Sequence, residues 1–245
     1  MASATTQNTV RIEDHGRISY AHGLALQHDR HAEVLGWREG GSADAPVGVA
    51  LMLEHDPPVI TVSGRPGARA HLVADEGRLR AAGVEVCETD RGGDITYHGP
   101  GQLVVYPILD LNRLGMGLHA YMRLLESVLI GACASMGVAC WRDAKATGVW
   151  VGDQESGGAK IAALGIRVRR WVTLHGVALN VSTDLSHFDL IVPCGLAGRR
   201  VTSLRREVGA AAPPMAEVKR IVGEHLAAAL VAHAAERSER GISRD

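Results

Sequence analysis

Cys194 stands between Pro193 and Gly195, and such flanks fix and expose a turn, so its sulfur can be presented to a ligand. A lone cysteine there is either a nucleophile or a structural residue. Lys160 opens the run Lys160-Ile161-Ala162-Ala163-Leu164-Gly165; taken alone it reads as a solvated ammonium at a strand start. His175-Gly176-Val177-Ala178-Leu179-Asn180 sets an imidazole and a carboxamide at the ends of an apolar strand, as core with two satisfied polar groups or as part of a site. The densest stretch is Arg91-Gly92-Gly93-Asp94-Ile95-Thr96-Tyr97-His98-Gly99-Pro100-Gly101-Gln102. Its glycines permit positive φ and close backbone approach to a ligand. They also suit two ordinary turns around a short strand, but the interleaved Arg91, Thr96, Tyr97, His98 and Gln102 favour a site. No Gly-Lys-Ser/Thr follows and no helix opens from it, which excludes a phosphate-binding loop and a dinucleotide fingerprint.

Positioning these residues falls to an ordinary globular chain. Of 245 residues, 46% are hydrophobic and 22% charged, with a formal net charge of -1. That balance excludes disorder and gives no global pull toward nucleic acid or an anionic membrane. No apolar run reaches the ~18 residues of a membrane span, and the start lacks the basic-then-apolar order of a secretory signal. The expected setting is cytoplasmic. Cys87, Cys133, Cys140 and Cys194 show no CxxC or CxxH spacing, so no metal site is expected; the first three read as buried small hydrophobes.

Strands are expected at Val10–Ile12, Val47–Leu53, Val59–Val62, Val84–Cys87, Ile95–His98, Gln102–Leu109, Thr147–Val151, Lys160–Val168 and Val172–Val181. Helical spacing covers Ser19–Trp37, with Ser19 as N-cap, and also Leu72–Ala82, Leu118–Met136 and Val218–Ala235. Gly152–Gly158 reads as a hairpin loop. Strands in runs with helices interspersed, without a βαβ rhythm, point to an α+β fold around a mixed sheet flanked by helices. One domain is expected over residues 1–245, with about 1–9 and 236–245 as flexible termini.

The segments RGGDITYHGPGQLVVYP, KIAALG, LHGVALNVSTDL, FDLIVPCGL and VTSL, in this order, resemble the lipoyl(octanoyl) transferases, over about Ile12 to Ala235. The resemblance implies the catalytic fold shared with biotin and lipoate protein ligases. It also implies transfer of octanoate from octanoyl-acyl carrier protein to lipoyl domains of 2-oxoacid dehydrogenases and the glycine cleavage H protein, without a cofactor. By motif matching, Cys194 is the acyl-thioester nucleophile and Lys160 lowers its pKa. Substrate contacts fall on Arg91, Gly92, Gly93, Asp94, Ile95, Thr96, Tyr97 and His98, on Ala163, Leu164 and Gly165, and on Gly176, Val177 and Ala178.

The implied chemistry is consistent. A free thiol has a pKa of about 8.5, and an adjacent ammonium favours the thiolate. Thioester exchange is nearly isoenergetic, so ATP is not required. Lys160, or Lys160 with His98, is the candidate to take the proton of the incoming lysine; N–H groups of Leu164, Gly165 or Gly195 are candidates for an oxyanion hole. Ile161, Leu164, Val177 and Leu179 are candidates for the wall of an acyl tunnel. Two positions depart from the family pattern: Trp171, where a glycine is expected, at the rim of the tunnel or capping it, and Ala163, where a serine is common. Seven arginines (167, 169, 170, 199, 200, 205 and 206) suggest one docking face for acidic carriers. The alternatives are an ATP-dependent lipoate ligase or an octanoyl amidotransferase of the same fold, or a non-catalytic carrier-binding module.

Overall fold

The computed structural model describes residues 10–41, 44–192 and 199–239. In chain order its elements begin with β1 (Val10–Ile18), α1 (Tyr20–Glu39), β2 (Gly48–His55), β3 (Val59–Ser63), α2 (Glu76–Ala82) and β4 (Glu85–Thr89). Next come β5 (Ile95–His98), β6 (Gln102–Leu109), α3 (Leu111–Leu114), α4 (Leu118–Ser135), β7 (Cys140–Arg142) and β8 (Val149–Val151). β9 (Ala159–Arg169), β10 (Val172–Asn180), β11 (Arg200–Val201), α5 (Leu204–Val208) and α6 (Met215–Glu239) complete them. The main sheet runs β1-β2-β6-β10-β9-β8-β7, with β11 on β9; a smaller sheet runs β4-β3-β5. Parallel pairs (β1 with β2, β3 with β4, β9 with β11) stand among antiparallel ones, so both sheets are mixed.

β2, β6 and β10 are buried at every residue, which explains why their sequences read as continuous apolar runs: the main sheet is covered on both faces. Alternate side chains separate. Leu103, Val105 and Leu109 of β6 join Leu125 and Leu129 of α4 and Val222 and Leu226 of α6. Val104, Tyr106 and Ile108 turn the other way, to Val34 and Leu35 of α1. Each such aliphatic residue contributes about 1.5–3 kcal/mol by leaving water. The small sheet has its own core, where Ile95 and Tyr97 meet Phe188 and Leu190.

Ser19 caps α1, its side chain accepting from the His22 N–H. The second helix starts later than its periodicity suggests. Asp75 accepts from Arg78 N at 2.8 Å and so fixes the start at Glu76, while Val73 and Ala74 donate to Leu190 O. β1 runs on to Ile18 because Arg11 and Glu13, polar residues inside it, pair with Glu33 and Arg30 of α1. β7, β11, α3 and α5 are too short for periodicity to reveal.

Candidate active site

Glycines bring the two sheets together. Gly92 N donates to Ile166 O of β9 at 2.9 Å, and a Cβ on Gly92 would stand 2.8 Å from that oxygen. Gly165 faces Gly176 across the β9–β10 pair. A Cβ at Gly165 would come within 3.0 Å of Arg91 Cδ and Gly92 O, and one at Gly176 within 2.2 Å of Val105 O. The bare Gly92 and Gly165 let the Arg91 loop lie flat on the main sheet, while Gly176 makes room for Val105 O and Pro107 of β6.

A narrow slot of about 40 Å³ lies between the sheets, room for only a few waters. Of the residues expected to contact substrate, Arg91, Gly93, Thr96, His98, Ala163, Leu164, Gly165, Gly176, Val177 and Ala178 line it. Gly92, Asp94, Ile95 and Tyr97 do not. The strand period of two decides this within β5: Thr96 and His98 face the slot, while Ile95 and Tyr97 point into the small-sheet core. Asp94 instead pairs with His71 at 2.7 Å. Ile161 and Leu179, expected in the tunnel wall, are fully buried in the core shared with α4 and α6. Tyr20, Val104, Tyr106 and His175 also line the slot. Only His175 was signalled, by its place in an apolar strand. Trp171 lies away from the slot, in the β9–β10 turn at φ 62°, a left-handed conformation that explains why glycine is expected there.

The slot is polar at one end and its titratable groups are held in fixed states. The Arg91 guanidinium donates to Thr61 O at 2.9 Å, Asp94 O at 3.1 Å and Gly92 O at 3.0 Å. Burial, together with His55 and Arg91, pushes His98 down to about 3, so it is neutral near pH 7. Burial lowers His55 to about 4, where its Nε2 meets the Tyr106 hydroxyl at 2.7 Å. His175 has φ 57°, a costly conformation for a side-chain-bearing residue that its surroundings must impose. Its N–H donates to Gln27 Oε1 at 2.7 Å, and its ring lies 2.8 Å from Asp90. Burial and the charges of Arg91 and Arg167 lower it to about 4, and the Asp90 carboxylate it meets also pairs with Arg167.

Lys160 is the second residue of β9 and lies beside Trp150, its ammonium 4.7 Å from the ring centroid and donating to Thr147 O at 3.1 Å. Cys194 lies outside the described residues. Both flanks of its segment are anchored: Val192 N donates to His71 O at 2.8 Å, while β11 pairs Arg200 with Ala159 and Val201 with Lys160. A depression of about 940 Å³ opens between these flanks, lined among others by Val192, Arg199, Val201 and Ala159. The arginines do not form one face. Arg200 pairs with Ala159 at one end of β9, and Arg167 and Arg169 occupy the other, some ~30 Å away at strand rise. Arg199 stacks on Trp150 and pairs with Asp143, and Arg170 pairs with Glu39.

Residues 20–227 match the family model of the lipoyl protein ligase A/B catalytic domain. The chain belongs to that family. Its relatives within it include the octanoyltransferase of Myxococcus xanthus, 45% identical over 216 residues, covering 88% of this chain and 58% of the relative. That of Bacteroides fragilis (strain YCH46) is 49% identical, covering 74% of this chain and 80% of the relative. That of Geobacter sulfurreducens is 47% identical, covering 82% and 77%. The chain thus spans somewhat over half of the Myxococcus protein and about four-fifths of the other two. Among solved structures, the fold matches lipoate-protein ligase A bound with ATP at a TM-score of 0.63 and 15% identity, covering 96% of this chain and 95% of that one. A chain from the bipartite lipoate protein ligase study of Thermoplasma acidophilum matches at 0.65 and 15%, covering 98% of each. At that identity the ligase A/B family structures share the fold, α+β with mixed sheets flanked by helices.

Proposed function

We propose that the chain is an octanoyltransferase that takes an octanoyl group from the thioester of acyl carrier protein onto Cys194 and passes it to a lysine of a lipoyl domain. The observation that carries this reading is the 45–49% identity to proteins named octanoyltransferase, in a chain where parts of the Arg91–Gln102, Lys160–Gly165 and His175–Asn180 stretches line one slot. In the first half-reaction the Cys194 thiolate attacks the carrier thioester carbonyl; the carrier thiolate leaves and takes up a proton. In the second, the neutral lysine amine attacks the acyl-enzyme, Cys194 leaves as thiolate, and the nitrogen gives up one proton. The Lys160 ammonium favours the thiolate in both, and Leu164 and Gly165 offer candidate N–H groups for the oxyanion. The acceptors proposed are lipoyl domains of 2-oxoacid dehydrogenases and the glycine cleavage H protein, in the cytoplasm. Both sheets contribute to the slot, which supports reading the chain as one catalytic domain.

An ATP-dependent ligase reaction is the second reading, favoured by the ATP-bound fold neighbour. One experiment separates them. Without ATP, octanoyl-acyl carrier protein should add one octanoyl group to the enzyme at Cys194, detected by mass spectrometry, and a lipoyl domain should then discharge it. Cys194→Ser should abolish both. Product that needs ATP, or undiminished transfer by Cys194→Ser, overturns the proposal.

A further inference from the structure

A buried chain of hydrogen bonds leads from the slot, through three side chains and the Thr202 backbone, to the strand of Lys160. His98 Nδ1 lies 2.7 Å from Gln102 Oε1. The Gln102 amide is oriented by its other end, where Nε2 donates to Asn180 Oδ1 at 2.9 Å and to Tyr97 O at 3.2 Å. Asn180 is oriented in turn, its Nδ2 donating to Thr202 O at 2.9 Å. Thr202 N donates to Lys160 O at 2.9 Å. Every member is 9% exposed or less apart from Lys160, so water does not compete for these bonds.

The direction of each bond follows from chemistry. The Thr202 carbonyl only accepts, so it selects the Nδ2 end of Asn180 and leaves Oδ1 toward Gln102. Asn180 Oδ1 and Tyr97 O both only accept, so they select the Nε2 end of Gln102 and leave Oε1 toward His98. His98 must therefore carry its proton on Nδ1. Nε2 is left as a lone pair on a residue that lines the slot, and among the described residues no hydrogen bond engages it.

That lone pair wants a donor. An octanoyl chain and its thioester carbonyl have none, and a deprotonated Cys194 has none; the attacking lysine nitrogen has N–H groups. We infer that Gln102 and Asn180 are positioning residues that lock His98 in its Nδ1–H form, so that Nε2 accepts a hydrogen bond from the acceptor lysine amine and orients it for attack on the acyl-enzyme. The inference deepens the proposed octanoyl transfer and rests on it. Because Thr202 also holds the Lys160 backbone, Lys160 and the acceptor for the amine are fixed in one frame.

Two measurements test this. Nitrogen-detected NMR of the full chain with ¹⁵N-labelled histidine should show His98 protonated at Nδ1 and bare at Nε2. A proton on Nε2 overturns the inference whatever the enzyme does, and this reading does not depend on the proposed substrates. Secondly, rates are measured separately for acylation by octanoyl-acyl carrier protein and for discharge of the isolated acyl-enzyme onto a lipoyl domain. Gln102→Leu should slow discharge roughly 10- to 100-fold, the scale of one lost oriented hydrogen bond, with acylation changed less than about threefold. Equal slowing of both steps, or unchanged discharge in a variant whose His98 tautomer has shifted, overturns it. If the wild-type chain forms no acyl-enzyme, octanoyl transfer fails as a reading, and the NMR result still decides the relay.

Discussion

Acid should unfold this protein unusually early. His55, His98 and His175 are each buried and held neutral, with values of about 4, 3 and 4 against an ordinary 6.5. A base whose folded pKa is depressed costs no stability above the unfolded pKa. Below it, the unfolded chain binds protons that the folded chain refuses, so stability falls from about pH 6.5 down to the folded values. At pH 5 each histidine removes about 2 kcal/mol, and the three together about 6. That loss is comparable to the total stability of many domains, about 5–15 kcal/mol. Burial lowers His31 as well, in the same direction. Urea unfolding followed by circular dichroism between pH 7.5 and 5 supplies the test. The midpoint should fall steeply below about pH 6.5, and His55→Phe should flatten the slope by about one proton. A stability that changes by less than about 1 kcal/mol over this range would refute the reasoning, because it would mean these rings are either charged in the native state or not sealed from water.

Two further outcomes are expected. Lys160→Ala should move the pH profile of Cys194 alkylation, followed on its own peptide by mass spectrometry, upward by about one unit or more; an unchanged profile removes Lys160 from the mechanism. Gly176→Ala, whose new carbon would meet Val105 O at 2.2 Å and Pro107 Cδ at 2.5 Å, should cost about 3 kcal/mol and lower Tm by roughly 6–12 °C. The control Gly36→Ala, with open space around it in α1, should raise stability by up to about 1 kcal/mol; equal effects of the two would refute the packing argument.

What the sequence revealed depended on the range over which each feature acts. β2, β6 and β10 were legible because strands buried on both faces carry apolar residues without interruption. The slot's glycines were legible as a cluster, but not their reason, which is contact with Ile166 and Val105, residues distant in sequence. Within Arg91 to His98 a motif treats all eight residues alike, whereas the pleat sends Thr96 and His98 one way and Ile95 and Tyr97 the other. Tyr20 and Tyr106 carry no local signal because the sheets' packing, not a pattern, brings them to the slot. The seven arginines looked like one face because they are close in number; β9 holds two of the groups at its opposite ends. Directionality in the relay from Thr202 to His98 needed coordinates, since only the carbonyls at its ends decide which way the amides turn.

The slot between the sheets admits only a few waters, and this bears on how an eight-carbon chain would enter it. A wide, wet groove would repay an incoming chain with the release of many disordered waters. Here there are few to release, so entry must part existing contacts, chiefly around Arg91 and Leu164, and replace them with contacts to the chain. Binding would then draw on dispersion enthalpy more than on solvent entropy, with a heat-capacity change smaller than the chain's own apolar area implies. Selectivity among acyl lengths would be set by how far the two sheets can yield for each added carbon, and so by the elasticity of the fold as much as by its shape.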